Sequence, residues 1–321
     1  MRIVVVGATG NVGTSVVRAL SARPDIDEII GIARRLPMTA EPKTGYETAD
    51  IARDDLVPHF AGADAVFHLA WLFQPTHDPV ATWQTNAVGS VRVFDAVAAA
   101  GVKTLLYASS VGAYSPGPDE VVDESWPTHS NPAAGYGREK AYVERALDAF
   151  EARHLDVRCV RFRPAFIFKR GAASAQRRLF AGPAMPNAIA RPGLLPAVPL
   201  PAGLRFQAVH TRDVADAFVR ALMRDVRGAF NIASEPVIDG PLLARVLGGR
   251  AIEVPRGVVR AVLASAWQLH LVPSEPALFD LFLQLPLLDC SRARTELEWM
   301  PAVSAIDAIA EALTGIAEGA G

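Results

Sequence analysis

Apolar and polar positions along the chain follow two alternating rhythms. Arg2-Ile3-Val4-Val5-Val6 is a short β-branched run, the pattern of a strand buried on both faces of a parallel sheet. After a glycine-rich break the period lengthens: Val12, Val16, Val17 and Leu20 share one face of a helix that Pro24 stops. The alternation then repeats. Glu28 to Ala33 predicts a second strand, and a shorter strand-like piece surrounds Tyr46. Ala65-Val66-Phe67-His68-Leu69-Ala70 predicts another buried strand, and Val80 to Ala100 one long helix carrying Val88, Val91, Phe94 and Val97 on one face. Gly101 ends that helix, Lys103 to Ala108 reads as a strand, and Ala141 to Ala152 as a helix. Strands and helices at this spacing predict βαβ units and an α/β fold with a parallel sheet.

Past Pro164 the alternation stops. Ala172 to Gly203, rich in proline, alanine and glycine, predicts loop with short helical pieces. Arg205 to Val209 reads as a strand, Asp213 to Arg224 as a helix, and Ala229 to Ile232 as the last strand of the core sheet. Asp213 is expected to cap its helix and His210 to satisfy a loop. From Val258 to Leu288 the chain is unusually apolar, and Pro273, Pro276 and Pro286 cut it into short helices. That stretch predicts the core of a small second lobe; the sharper alternative is that part of it lines a pocket for an apolar substrate, together with Trp71 and Phe73.

The breaks between elements carry the candidate chemistry. Gly7-x-x-Gly10-x-x-Gly13 separates the first strand from the first helix. Glycines there let the backbone turn tightly around Thr9, Asn11 and Val12, and the helix N-terminus points N–H groups and partial positive charge at a phosphate. The second strand ends in Ala33, then Arg34-Arg35. An acid at that tip suits the ribose hydroxyl of NAD, whereas arginine suits the extra phosphate of NADP, so the pattern points to NADP with NAD allowed. Asp50-Ile51 supplies either an acceptor for the adenine amino group or a cap for a helix beginning near Arg53. Leu69-Ala70 and the bulky Trp71-Leu72-Phe73 follow a strand where a cleft should open, and His68 is expected to be a hydrogen-bonded core histidine. Ser109-Ser110 ends the strand before Tyr114, and Tyr136-x-x-x-Lys140 opens a helix with both side chains on one face. A phenol near pH 10 must fall toward 7 to trade a proton with an alcohol or ketone, and a nearby ammonium with a cationic nicotinamide would lower it.

Together these residues resemble the extended short-chain dehydrogenase/reductases, the NAD-dependent epimerase/dehydratase family. Further similarity lies in His68-Leu69-Ala70, Arg161-Phe162-Arg163-Pro164, Val209 to Ala215, Phe230 to Ala233 and Leu297-Glu298-Trp299-Met300-Pro301. The resemblance implies a Rossmann-type doubly wound parallel sheet with a smaller, mostly helical substrate-binding lobe. The boundaries it suggests are 1–165 and 205–235 for the NAD(P)-binding domain, with 166–204 and 236–321 for the lobe. It makes Ser110 the catalytic hydroxyl, Tyr136 the general acid/base, Lys140 the ribose-binding residue that tunes Tyr136, and Pro164 a neighbour of the nicotinamide. It also implies a homodimer through Val80 to Ala100 and Gly135 to Ala152.

The chain departs from the family at three places. Ala33 replaces the acid usual in NAD users. Val111 and Gly112 stand where sugar dehydratases carry an acidic pair, which argues against loss of water by that route. Phe168-Lys169-Arg170 intervenes before Gly171 in the loop after the Arg-Pro strand. Three functions follow: an NAD(P)-dependent oxidoreductase acting on a ketone or secondary alcohol; alternatively a nucleotide-sugar epimerase that retains NAD; or a non-catalytic NADP-binding regulator.

Composition bears on the partners, and a small-molecule substrate, in part apolar, is expected beside the homodimer. The 321 residues have a net charge of −2, which suggests neither nucleic acid nor an anionic membrane. The two cysteines, Cys159 and Cys290, form no disulfide framework, and the first apolar run is too short for a signal peptide, so a cytoplasmic protein is expected. The seven histidines are scattered without metal-ligand spacing.

Overall fold

The structure, a computed structural model, describes residues 1–74, 76–182 and 186–320. Seven parallel strands form the central sheet, in the order Gly228–Ile232, Arg158–Pro164, Thr104–Ala108, Ala65–His68, Arg2–Val6, Glu28–Ala33 and Thr44–Thr48. Alternate residues of the first strand explain its apolar run. Ile3 and Val5 pack with Val16, Val17 and Leu20 on one face, and Val4 and Val6 with Val93, Phe94 and Val97 on the other. The chain leaves Arg2–Val6 toward Glu28–Ala33, then returns to its opposite edge at Ala65–His68. The strand order reverses there, and a crevice opens outside the carboxyl ends of these strands. This is the expected doubly wound α/β architecture.

A three-stranded sheet of Phe166–Phe168, Arg205–His210 and Ser234–Asp239 adjoins it, and Ala197–Pro201 pairs with Arg250–Val254. The helix Ala305–Glu318 packs Ala305 and Ile309 against Ala208 and Ile238 of the three-stranded sheet. Among the described residues, no helix is long and apolar enough to cross a membrane.

Five expectations need correction. The span from Val80 to Ala100 is not one regular helix: Pro79–Trp83 and Gly89–Ala99 flank a π-helical stretch, Gln84–Val88. No helix begins near Arg53, since the next one is Val57–Phe60. The Asp50 carboxylate instead accepts from the Ala52 N–H at 3.0 Å, closing a local turn. Ala172 to Gly203 holds more order than expected, with the nine-residue helix Ala173–Ala181 and the strand Ala197–Pro201. The roles of Asp213 and His210 are exchanged. His210 caps the helix Thr211–Leu222 by accepting from the Arg212 N–H, while Asp213 accepts from the N–H groups of Ala302 and Val303. Finally, only the second part of the apolar stretch is core. Leu278, Leu281 and Leu285 are buried, but the helix Arg256–Gln268 buries no residue, and Val258 and Val262 are 53% and 63% exposed.

Candidate active site

The glycine loop is shaped by backbone contacts that tolerate no side chain. Gly7 has φ +86°, and a Cβ there would lie 2.6 Å from the Ala70 nitrogen. A Cβ on Gly13 would collide with the Gly7 carbonyl oxygen, so Gly13 serves close packing of helix on strand. The helix Asn11–Ser21 begins at Gly10, which offers no side-chain cap to its first turn. The Asn11 Oδ1 is buried with no protein partner. Free helix N–H groups, a glycine cradle and an orphaned polar atom fit the pyrophosphate of a dinucleotide.

The loop opens into a cavity of about 700 Å³. Gly7, Thr9, Gly10, Asn11 and Val12 line one end, with Arg34, Asp50 and Ile51 beside them. Leu69, Ala70, Trp71, Phe73, Ser110, Tyr136, Lys140 and Pro164 line the other. Of the expected cofactor and substrate residues, Gly13 and Arg35 alone do not line it; Arg35 is an exposed residue past the strand end. In the loop that departs from the family pattern, the Lys169 ammonium donates to the Thr14 hydroxyl at 2.6 Å and ties the loop to the first helix.

At the far end, Thr104–Ala108 delivers Ser109 and Ser110. The Ser109 hydroxyl donates to Glu144 at 2.5 Å. Glu144 is fully buried and pairs with both Arg161 and Arg163. Burial pushes its carboxyl up, but the Arg163 hydrogen bond and the two guanidinium charges outweigh that and hold it at about 2. The Ser110 hydroxyl accepts from the Gly112 N–H at 3.0 Å and hydrogen-bonds the Tyr136 phenol. The Tyr136 ring is held on three sides. Phe73 stacks on it at 5.2 Å, Trp71 meets it edge-on at 5.7 Å, and a Cβ on Gly112 would lie 2.7 Å from its Cε1.

Lys140 lies one turn along the same helix, Gly135–Arg153. Its ammonium donates to the Ala108 carbonyl at 2.8 Å and sits 3.5 Å from the Trp71 ring centroid. The expected fall of the Tyr136 pKa is absent here. Burial pushes the phenol up to about 12, against the Ser110 hydrogen bond, and burial brings Lys140 down to about 7. Burial is the main cause, and in the protein without cofactor the ammonium that was to lower the phenol is turned toward Ala108 and Trp71. His68 behaves as expected, with its Nε2 2.8 Å from the Ser90 hydroxyl and its pKa pulled down to about 3 by burial and by Lys140.

Two contributors escape sequence reasoning. Asn86, in the π-helical stretch, accepts from the Leu72 N–H and donates to the Leu72 carbonyl and to Glu139, each at 2.7 Å. It thereby fixes the tripeptide that carries Trp71 and Phe73. Its neighbours at helical spacing, Thr82 and Ser90, are polar as well, so nothing in the sequence pattern singles it out. The second is the C-terminal helix, whose Ile309, Leu313 and Ile316 reach the cavity. Among the described residues, no cluster of His, Cys, Asp and Glu could hold a metal ion.

The model of the NAD dependent epimerase/dehydratase family matches residues 3–233. The chain belongs to that family. Among family relatives, a UDP-glucose 4-epimerase of Mycolicibacterium smegmatis is 28% identical over 327 residues, spanning 97% of each chain. An L-arabinose 1-dehydrogenase (NAD(P)(+)) of Haloferax volcanii is 32% identical over 112 residues, covering 34% of this chain and 41% of that one. In fold, MoeE5, solved in complex with UDP-glucuronic acid and NAD, superposes with a TM-score of 0.73 at 19% identity over 99% of this chain and 100% of that one.

Proposed function

We propose that this family member transfers a hydride between a bound nicotinamide and a secondary carbinol or ketone carbon. The observation that carries this reading is the convergence of Ser110, Tyr136 and Lys140 on the same cavity as the glycine loop. Gly7, Gly10, Asn11 and Val12 hold the pyrophosphate, Asp50 and Ile51 flank the adenosine, and Leu69, Ala70 and Pro164 pack along the nicotinamide end. The nicotinamide supplies or accepts the hydride. Ser110 orients the substrate oxygen, and Tyr136 gives that oxygen a proton in reduction or takes one in oxidation. Lys140, one helical turn from Tyr136, would hold the nicotinamide ribose, and its charge there would favour the phenolate.

The second reading is epimerisation of a nucleotide sugar by the same residues, with the cofactor retained. The name of the full-length relative favours it. Denaturing the purified protein and identifying the released nucleotide separates the two. Stoichiometric NAD supports the epimerase; an empty protein that takes up and exchanges dinucleotide supports the oxidoreductase.

The finer cofactor assignment is NADP, and it rests on Arg34 beside Ala33, since Arg35 lies outside the cavity. Arg34→Asp should weaken NADPH binding by roughly tenfold or more while NADH binding holds or tightens. Equal loss for both dinucleotides in a fluorescence titration contradicts the assignment. Trp71→Ala removes a ring that contacts both Tyr136 and Lys140. It should weaken apolar ligands by roughly tenfold and dinucleotide by less, measured by calorimetry. Equal effects on both would remove Trp71 from the substrate site.

A further inference from the structure

The cavity does not end at Tyr136. Beyond it, the strand Phe166–Phe168, the end of the helix Pro276–Phe282 and the C-terminal helix Ala305–Glu318 wall a bay continuous with the nicotinamide end. Its lining is mostly hydrocarbon, with Phe166, Phe282, Leu285, Ile309, Leu313 and Ile316, and Gln176 and Arg177 are the polar side chains that the helix Ala173–Ala181 adds to the cavity. Phe166 packs edge-on against Phe282 at 4.8 Å, which fixes one wall. On the C-terminal helix, Ile309, Leu313 and Ile316 follow one another at helical spacing, so a single face supplies the other.

Charge decides what this bay can hold. The cations lining the whole cavity, among the described residues, are Arg34, Lys140 and Arg177. Arg34 lies at the adenosine end and Lys140 at the nicotinamide end, and the glycine loop serves one pyrophosphate. Within that cavity a substrate carrying a second diphosphate would have Arg177 to meet its charge, and the Arg177 guanidinium already donates to the Gly182 carbonyl at 3.0 Å; Arg138, in the adjoining recess beside Tyr136, donates to the Pro132 carbonyl at 2.8 Å. Diphosphates are bound by several charge-assisted donors, not by an aliphatic wall.

We infer that the substrate is a ketone or secondary alcohol with a long hydrocarbon body, its oxygen at Ser110 and Tyr136 and its body in the bay beneath the C-terminal helix. This inference deepens the proposed hydride transfer and rests on it. The bay is separable from the chemistry, because it binds hydrocarbon whether or not a proton moves at Tyr136.

The test is a homologous series, 2-butanone to 2-decanone, reduced by the protein with the reduced dinucleotide in excess as hydride donor. Each added methylene removed from water should raise kcat/KM about fourfold until the bay is full. Leu313→Asn should flatten that dependence, with dinucleotide affinity reporting an intact fold. Calorimetry on the Tyr136→Phe holoprotein reads binding without turnover. If 2-decanone binds far more tightly than 2-butanone but wild type reduces neither, the bay stands and the hydride-transfer reading falls. If ketones are reduced with no dependence on chain length, or UDP-glucose binds tightly and 2-decanone does not, the inference is overturned.

Discussion

Tyr136→Phe should lower kcat by a factor on the order of 10² to 10⁴ while dinucleotide affinity stays within about twofold. The substitution removes one oxygen and leaves the ring, so the stack with Phe73 and the edge contact with Trp71 survive. The phenol lines the cavity and is held at about 12 by burial without cofactor. A phenylalanine there is therefore expected to keep the fold and stability of the protein. Steady-state kinetics and a dinucleotide titration check this. A variant retaining more than about a tenth of the activity would show that another group moves the proton.

Lys140→Met should abolish turnover and also stabilise the cofactor-free protein. Burial lowers the Lys140 pKa from 10.5 to about 7, so the folded state binds this proton less tightly than the unfolded chain. The unfolded state therefore holds more protons between about pH 7 and 10.5. The cost of burying the charge is fully present below pH 7 and fades as pH rises toward 10.5. At pH 7 it reaches roughly 4 kcal/mol, offset in part by the Ala108 carbonyl and the Trp71 ring. Methionine keeps the aliphatic stem and drops the ammonium. Melting at pH 7 should rise by roughly 3–6 °C, and the gain should shrink toward pH 10. A fall in Tm would mean that the polar contacts of the ammonium outweigh its desolvation.

This opposition between stability and chemistry explains which parts of the site were legible in the sequence. Strand, glycine loop and helix are written locally, because Ile3 to Val6 and Val16 to Leu20 bury themselves by period alone. Ser110, Tyr136 and Lys140 were recognisable by type and spacing, and all three line one cavity. Their mutual arrangement was not readable. The turn of Lys140 toward Trp71 depends on a residue some 70 positions earlier, and the placement of Trp71 depends on Asn86 gripping Leu72. The apolar stretch misled because periodicity reports amphipathy and not what covers a face. Val258 and Val262 read as core yet lie exposed, while Ile309 and Leu313 of the last helix reach the cavity unannounced. His210 and Asp213 exchanged roles for a related reason: the partners of Asp213 are backbone N–H groups at 302 and 303, invisible to local capping rules.

The most direct test of hydride transfer with Tyr136 as acid follows a labelled hydrogen. Reduced dinucleotide carrying deuterium at nicotinamide C4 is mixed with the protein and a ketone, and the product is examined by mass spectrometry. Deuterium at the carbinol carbon in wild type, with at least about a hundredfold less in Tyr136→Phe at equal dinucleotide occupancy, is the predicted result. Product formed without deuterium from either nicotinamide face, or label transfer that persists in Tyr136→Phe, would contradict the account.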